Sequence, residues 1–148
     1  MEKIVLAVDG SEHSKRAAQM AATLSRCCEA PVDIIHVVPE MRLADPGGIQ
    51  DYARLEDAWV TQRDLLKAAG GNVLSLAASE VVENGGKVDH QAVLIGPVAR
   101  EIVQHAEEVG ADYIVMGRRG LGDLGGLLMG SVSHRVGQLT ETTLVTTR

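Results

Sequence analysis

The chain has 148 residues, 45% of them apolar, and a formal net charge of −6. This apolar content excludes a disordered chain, and the acidic charge without an evident basic cluster argues against a nucleic-acid partner. Because the sequence contains no Phe, smaller aliphatic residues must fill the core, as in a sheet covered by helices.

The length fits one domain over residues 1–148. No apolar run approaches the roughly 20 residues of a membrane-spanning helix, so we expect no membrane partner. The first residues, Met1-Glu2-Lys3, lead directly into an apolar segment without the layout of a signal peptide. We therefore expect a cytoplasmic protein.

The first part of the chain predicts a strand, a helix and a second strand. Residues 4–8 form a short, continuous apolar run, which is typical of a strand buried on both faces. Ser11 is a good N-cap, apolar residues then recur at helical spacing, and Pro31 ends the helix. Residues 32–38 form the second strand. This order indicates a right-handed crossover between parallel strands.

Two adjacent cysteines, Cys27 and Cys28, fall in this first helix. Neighbouring helical side chains point in different directions, so a bond between them would be strained. We expect both to be packing residues, and a redox role stays open.

The middle of the chain predicts a loop, a long helical region and a third strand. Gly70-Gly71 falls inside the helical region, which is therefore one bent helix or two. Residues 84–86 signal a turn, and residues 87–95 form the third strand. The expected buried stripe of the helical region consists of Leu55, Trp59, Leu66, Ala69, Val73, Leu76 and Ala77.

The last part of the chain predicts a helix between Pro97 and Gly110, a fourth strand over residues 112–116, a glycine-rich loop, a short helix, and a fifth strand over residues 142–147. Strands and helices thus alternate throughout, which predicts an α/β fold. We expect a five-stranded parallel sheet in the order 3-2-1-4-5 with helices on both faces. This order reverses between the first and fourth strands, and ligands of such sheets bind in the crevice there.

The glycine-rich loop carries the pattern G-x2-G-x9-G-S, formed by Gly117, Gly120, Gly130 and Ser131. Glycine allows backbone N–H groups to approach a phosphate closely because no Cβ intervenes. The start of the following helix adds free N–H donors and a partial positive charge, and Ser131 and Ser133 add hydroxyl donors. The pattern therefore predicts a phosphate cradle without a Walker-type lysine. The alternative is that these glycines serve only turn geometry.

The pattern resembles the ATP-binding signature of the universal stress proteins. Residues 4–11, 36–38, 96–97 and 130–133 also resemble that family, so the resemblance covers essentially the whole chain. It implies a Rossmann-like sheet, ATP binding and a homodimer. By position, it places Ala7, Asp9 and Val38 at the adenine and ribose end, Met116 and Gly117 near the ribose, and Gly120, Gly130, Ser131, Val132 and Ser133 at the phosphates.

Three further expectations concern Asp9, a metal ion and the oligomeric state. Asp9 is either a turn residue or an acceptor for a ribose hydroxyl or the adenine amino group. We expect Mg²⁺ to bridge the phosphates, with phosphate oxygens and water as most of its ligands. The fifth strand would lie at an open edge of the sheet, where pairing with a two-fold mate would form a homodimer.

Three functions fit these observations. The first is a regulatory or stress-protective ATP-binding protein. The second is a slow ATPase or nucleotidyl-transfer enzyme, and the third is a binding module for another adenine nucleotide, such as AMP or a cyclic nucleotide. Phosphoryl transfer needs a positioned nucleophile and strong charge neutralisation. Because the loop offers no evident general base, we favour the first function, with at most weak ATP hydrolysis.

Overall fold

A computed structural model describes residues 2–39, 52–119 and 130–148, except for the side chains of residues 52–62. Strands and helices alternate along the described residues. Their bounds are β1 Ile4–Ala7, α1 Glu12–Cys28, β2 Val32–Val38, α2 Tyr52–Glu83, β3 Val88–Ile95, α3 Val98–Val109, β4 Tyr113–Gly117, α4 Ser131–Leu139 and β5 Thr143–Thr147.

The five strands form one parallel sheet in the order β3-β2-β1-β4-β5. Side chains alternate between the two faces of a strand, and β1 is apolar at every position. Ile4 and Leu6 pack on the face covered by α1 and α2, whereas Val5 and Ala7 pack on the face covered by α3 and α4. The predicted α/β fold, the strand order and the helices on both faces are confirmed.

The local signals at helix ends are also confirmed. The Ser14 N–H donates to Ser11 Oγ at 3.2 Å, so Ser11 caps α1 directly after β1. Gly110 ends α3 with a left-handed backbone at φ 65°, a conformation that glycine adopts at little cost. These two residues fix where α1 leaves the sheet and where α3 returns to it.

The Gly70-Gly71 pair lies inside α2, which is a single helix from Tyr52 to Glu83. A Cβ atom at Gly70 would lie 2.8 Å from Val93 Cγ2 and 3.0 Å from His36 Cδ2. A Cβ at Gly71 would meet nothing within 4 Å. The first glycine therefore lets α2 approach β2 and β3 closely, and the second does not.

Gly70→Ala and Gly71→Ala form a matched pair that tests this close approach. Both changes improve helix propensity by about 1 kcal/mol, but only the first adds a methyl group against Val93, where overpacking costs about 1–3 kcal/mol. We expect Gly71→Ala to raise the free energy of unfolding and Gly70→Ala to lie about 1–3 kcal/mol below it. Urea denaturation measures both, and equal stabilities would contradict the packing of α2.

The buried stripe of α2 differs in part from the expected one. Ala77 is buried as expected, and Val73 packs against the core. Leu76, however, is 73% exposed and Ala69 is exposed as well, whereas Leu74 and Val81 are buried instead. The side chains of Leu55 and Trp59 lie outside the described residues. Apolar residues occur on several sides of this helix, so periodicity alone did not select the face that packs on the sheet.

One segment of α2 is also more apolar than the sequence analysis expected. An 18-residue window within Arg63–Glu83 has a mean hydropathy of 1.2, and the segment is, by length and composition alone, long and apolar enough to cross a membrane. The core helices of globular proteins meet the same criterion. This helix contributes Leu74, Ala77 and Val81 to the core that it shares with α1 and the sheet, and 22% of the apolar window is buried.

Candidate functional site

A cavity of about 370 Å³ opens at the carboxyl ends of β1, β2 and β4. Its volume is within the range of about 300–1,000 Å³ that is typical of small-molecule sites. β1 pairs with β2 on one side and with β4 on the other, so the cavity lies where the strand order reverses. The starts of α3 and α4 complete its wall. Its place in the fold is therefore the one predicted for a ligand.

Most of the predicted site residues meet at this cavity. Those that line it are Ala7, Asp9, Met116, Gly117, Gly130, Ser131, Val132 and Ser133. Val38 does not line it, whereas Val37 of the same strand does. Gly120 lies outside the described residues.

The first turn of α4 forms one side of the cavity. Gly130 is the N-cap of this helix and has an extended backbone at φ −70° and ψ 158°. The N–H groups of residues 131–133 have no acceptor within the helix, as at any helix N-terminus. Because Gly130 and these residues line the cavity, the wall offers N–H donors that have no backbone acceptor in the described part of the chain, together with the partial positive charge of the helix.

The hydroxyl of Ser133 has a different use from the predicted one. It donates to the carbonyl oxygen of Arg118 at 2.7 Å and to that of Gly130 at 3.1 Å. The Gly130 N–H donates to the same Arg118 oxygen at 2.7 Å. In this structure the Ser133 hydroxyl, expected to donate to phosphate, is engaged within the protein.

Gly117 is required by packing as well as by the motif. A Cβ atom at this position would lie 2.7 Å from His13 Cβ and 3.0 Å from the His13 backbone carbonyl carbon. Backbone atoms cannot move aside as easily as the end of a long side chain. The close contact between α1 and the end of β4 therefore explains this glycine whether or not a ligand binds.

Asp9 is held in place by the start of α1. Its Oδ1 atom accepts hydrogen bonds from the Ser11 N–H at 3.0 Å and from Ser14 Oγ at 2.6 Å. The Asp9 N–H in turn donates to Ser14 Oγ at 2.9 Å. Ser14 is 6% exposed and lines the cavity, but the sequence analysis did not select it. The sequence signal that could have identified Ser14 is its position three residues after the N-cap, Ser11.

His36 also lines the cavity, although the sequence analysis gave it no role beyond the motif. Its Nδ1 lies 2.7 Å from the carbonyl oxygen of Val8. A carbonyl oxygen can only accept, so Nδ1 carries the hydrogen, and Nε2 of the neutral ring is an acceptor. This histidine therefore adds a polar group with a defined tautomer to the wall.

Two arginines that follow β4, Arg118 and Arg119, line the cavity as well. The Nε atom of Arg118 is buried and has no hydrogen-bond partner in the part of the chain that the structure describes. Guanidinium groups form strong hydrogen bonds with carboxylates and phosphates. Arg135, in contrast, is exposed on α4 and is not part of the lining.

The described residues offer little to a metal ion. Within residues 2–39, 52–119 and 130–148, no three His, Cys, Asp or Glu side chains form a group that could hold a metal. Asp9 is the only carboxylate among the described residues that line the cavity. Mg²⁺ bound here would therefore take most of its ligands from a bound molecule and water.

The two cysteines do not line the cavity. Cys28 packs partly against the core, as expected, whereas Cys27 is exposed, so the packing prediction is wrong for Cys27. A hydrogen bond to the Glu2 carboxylate, followed by partial burial and the charge of Glu2, raises the pKa of the Cys28 thiol. A smaller fraction of the Cys28 thiol is therefore in the reactive thiolate form at neutral pH.

Comparisons with known proteins all relate this chain to one family. The model of the Universal stress protein family matches residues 1–148. Universal stress protein YxiE of Bacillus subtilis is 31% identical over 139 residues, which cover 93% of each chain. Universal stress protein MJ0531 of Methanocaldococcus jannaschii is 36% identical over 137 residues, which cover 91% of this chain and 75% of the relative.

Solved structures share the fold. The hypothetical protein MJ0577 has a TM-score of 0.81 at 24% identity, covering 98% of this chain and 94% of its own. A universal stress protein in complex with cAMP has a TM-score of 0.73 at 22% identity, covering 99% and 97%. The universal stress protein from Archaeoglobus fulgidus in complex with dAMP has a TM-score of 0.68 at 24% identity, covering 100% and 98%. With the whole-length family match, these findings show that the chain belongs to the universal stress protein family.

Proposed function

We propose that this chain is an ATP-binding member of the family with a regulatory or stress-protective role. The observation that carries the proposal is the meeting of the α4 N-terminus and Asp9 at one cavity, at the reversal point of the sheet. Two proteins of the same fold were solved with adenine nucleotides, cAMP in one and dAMP in the other. An adenine nucleotide is therefore the ligand class that we propose for this cavity.

The cavity wall offers a suitable group for each part of such a ligand. Ala7, Val37 and Met116 supply an apolar surface for the base, and Asp9 supplies a fixed acceptor for a ribose hydroxyl or the adenine amino group. The free N–H groups of residues 131–133 are donors for phosphate oxygens. Bound Mg²⁺ would neutralise part of the phosphate charge, held mainly by phosphate oxygens and water.

The glycine signature and the two arginines favour ATP over a monophosphate. Gly117, Gly130 and Ser131 of the signature lie at the cavity, while Gly120 is outside the described residues. Arg118 and Arg119 add positive charge close to the α4 N-terminus, and a triphosphate carries more negative charge than AMP does. Each hydrogen bond to a charged group contributes about 1.5–3 kcal/mol, so even one additional phosphate contact gives about tenfold or more in affinity.

A binding module for AMP or a cyclic nucleotide is the second candidate. It is supported by the cAMP and dAMP complexes of similar proteins and by the small number of free N–H groups at α4, which one phosphate group could satisfy. The two candidates differ in how affinity depends on the number of phosphate groups.

The nucleotide that co-purifies with the protein is the most direct test. Heat-denatured protein releases it for chromatography and mass spectrometry, and we expect ATP. Calorimetry on nucleotide-free protein should then give at least about tenfold tighter binding of ATP than of AMP, with Mg²⁺ present. Nearly equal affinities for AMP and ATP would favour the second candidate, and no binding of any adenine nucleotide would overturn both.

We also propose a homodimer through the last strand. β5 pairs with β4 on one side and is an edge strand of the sheet, so its other side presents unpaired backbone groups. Antiparallel pairing with a two-fold mate would satisfy them. Light scattering at tens of micromolar should give about twice the chain mass of 15.7 kDa. A monomer in both the nucleotide-free and the ATP-bound protein would contradict the dimer.

A further inference from the structure

Ser133 and the carbonyl oxygen of Arg118 join the two ends of the glycine-rich segment. Arg118 follows the last residue of β4, and Gly130 precedes the first residue of α4. The Arg118 oxygen accepts two hydrogen bonds, from the Gly130 N–H and from Ser133 Oγ, each at 2.7 Å. A carbonyl oxygen has two lone pairs, so both are used here. We call this arrangement the Arg118 clamp.

The Arg118 clamp is anchored to the sheet, and its Ser133 hydroxyl is shielded from solvent. The Arg118 N–H donates to the carbonyl oxygen of Thr147 at 2.7 Å, which ties the clamp to the end of β5. Ser133 is only 2% exposed. Water therefore competes little for its hydroxyl, and an Arg118 oxygen that lost this donor would be left partly unsatisfied.

We infer that Ser133 is a positioning residue, which closes the glycine-rich segment and sets the direction of the α4 N-terminus rather than donating its hydroxyl to a ligand. Bringing the ends of an 11-residue connection together costs conformational entropy, and the clamp holds them together before any ligand binds. The N–H groups of residues 131–133 are then already arranged for an anion, which lowers the cost of binding. The part of this inference that concerns ATP rests on the proposed function.

The main competing role for Ser133 is direct contact with phosphate. Its hydroxyl has a single hydrogen, which Arg118 and Gly130 already attract from 2.7 and 3.1 Å. A phosphate contact would require this hydrogen to turn away from the Arg118 oxygen. The two roles therefore differ in the protein without nucleotide, where only the clamp predicts an effect of the hydroxyl on the Gly130 amide.

Hydrogen exchange of the Gly130 amide, followed by NMR in the nucleotide-free protein, tests the clamp. Ser133→Ala removes the hydrogen bond from Ser133 Oγ to the Arg118 oxygen. The clamp is then weaker, so the Gly130 amide should exchange about three- to tenfold faster. Ser133→Cys, nearly the same size but a weak donor, should give a smaller increase and serves if Ser133→Ala does not fold. An unchanged exchange rate in the folded variants would overturn the inference.

Ser25→Ala is the matched control. Ser25 is also 2% exposed and donates to a carbonyl oxygen, that of Ala30, at 2.7 Å, but it does not line the cavity. It should leave Gly130 exchange and ATP affinity unchanged, whereas Ser133→Ala should weaken ATP binding about three- to tenfold and leave adenosine binding unchanged. Weaker ATP binding without faster exchange would indicate direct contact and overturn the clamp. If wild-type protein binds no adenine nucleotide, the proposed function fails and the exchange rates alone decide the clamp.

Discussion

Gly130→Val is expected to abolish measurable ATP binding while the protein still folds. The backbone of Gly130 is extended, at φ −70° and ψ 158°, and an L-amino acid adopts this conformation without strain. The Gly130 N–H, which donates to the Arg118 oxygen, is also retained by valine. The fold should therefore tolerate the change, at a cost of about 1 kcal/mol for a poor N-cap residue.

The binding site should not tolerate it. Gly130 lines the cavity beside the free N–H groups of residues 131–133, and a branched side chain there would occupy the space that phosphate oxygens need. Losing two charge-assisted hydrogen bonds of about 1.5–3 kcal/mol each corresponds to a loss of about 10²–10⁴-fold in affinity. Calorimetry with ATP measures this loss, and circular dichroism confirms that the variant is folded.

Gly137→Ala is the matched control for this prediction. Gly137 lies on the same helix and is exposed, and a Cβ atom there would make only an ordinary contact, 3.4 Å from Leu144 Cδ2. This change should leave ATP affinity unchanged and raise stability by up to about 1 kcal/mol. A folded Gly130→Val protein with wild-type affinity would show that the ligand does not use the α4 N-terminus.

The sheet could be predicted from the sequence because its signals are local and strong. β1 is a continuous apolar run and β2 a mainly apolar one between clear stop signals, and their alternation with helices leaves few possible topologies. The same logic placed a ligand at the reversal point between β1 and β4. Ser11 and Gly110 fixed two helix ends through their own backbone chemistry.

The structure departs from the sequence analysis in orientation and partners, which depend on distant parts of the chain. Val38 was chosen, whereas its neighbour Val37 lines the cavity, because the end of a strand can be located from sequence but the residues that border a cavity depend on the elements packed around it. The hydroxyl of Ser133 was assigned to phosphate, but its acceptor is a carbonyl oxygen 15 residues earlier. Leu76 was expected to be buried and is 73% exposed, because an apolar helix offers more than one possible face.

The glycine motif shows a related limit. Gly117 fits a phosphate cradle by pattern, yet its lack of a side chain is already required by His13 on α1. The sequence pattern shows that a Cβ is absent. It does not show whether the space beside the glycine is filled by protein or by a ligand. Gly130 has an unstrained backbone and lies at the cavity, so it is the better residue for testing the ligand.

The second large effect is a rate: we expect ATP turnover well below about 1 s⁻¹, the lower end of ordinary enzymes. Catalysis requires interactions that become stronger in the transition state, such as a group that orients water and a cation on the leaving oxygens. Among the described residues that line the cavity, the candidate bases are Asp9 and His36. Asp9 accepts two hydrogen bonds from the start of α1, and His36 donates through Nδ1 to Val8.

Both candidate bases follow other strands than the one that precedes the proposed phosphate donors. Both lie at the ends of β1 and β2, whereas the phosphate donors lie at the start of α4, beyond β4. Arg118 and Arg119 can stabilise charge, but among the described residues we identify no side chain that orients a nucleophile, and charge stabilisation alone would hold ATP in its ground state. A steady-state assay with purified protein and Mg²⁺ decides the question. Gly130→Val serves as the control, because it should not bind ATP and any turnover in its preparation would come from a contaminating ATPase. Turnover at enzyme-like rates that Gly130→Val and Arg119→Ala both abolish would make this chain an enzyme, and slow turnover with tight binding would leave it a binding protein.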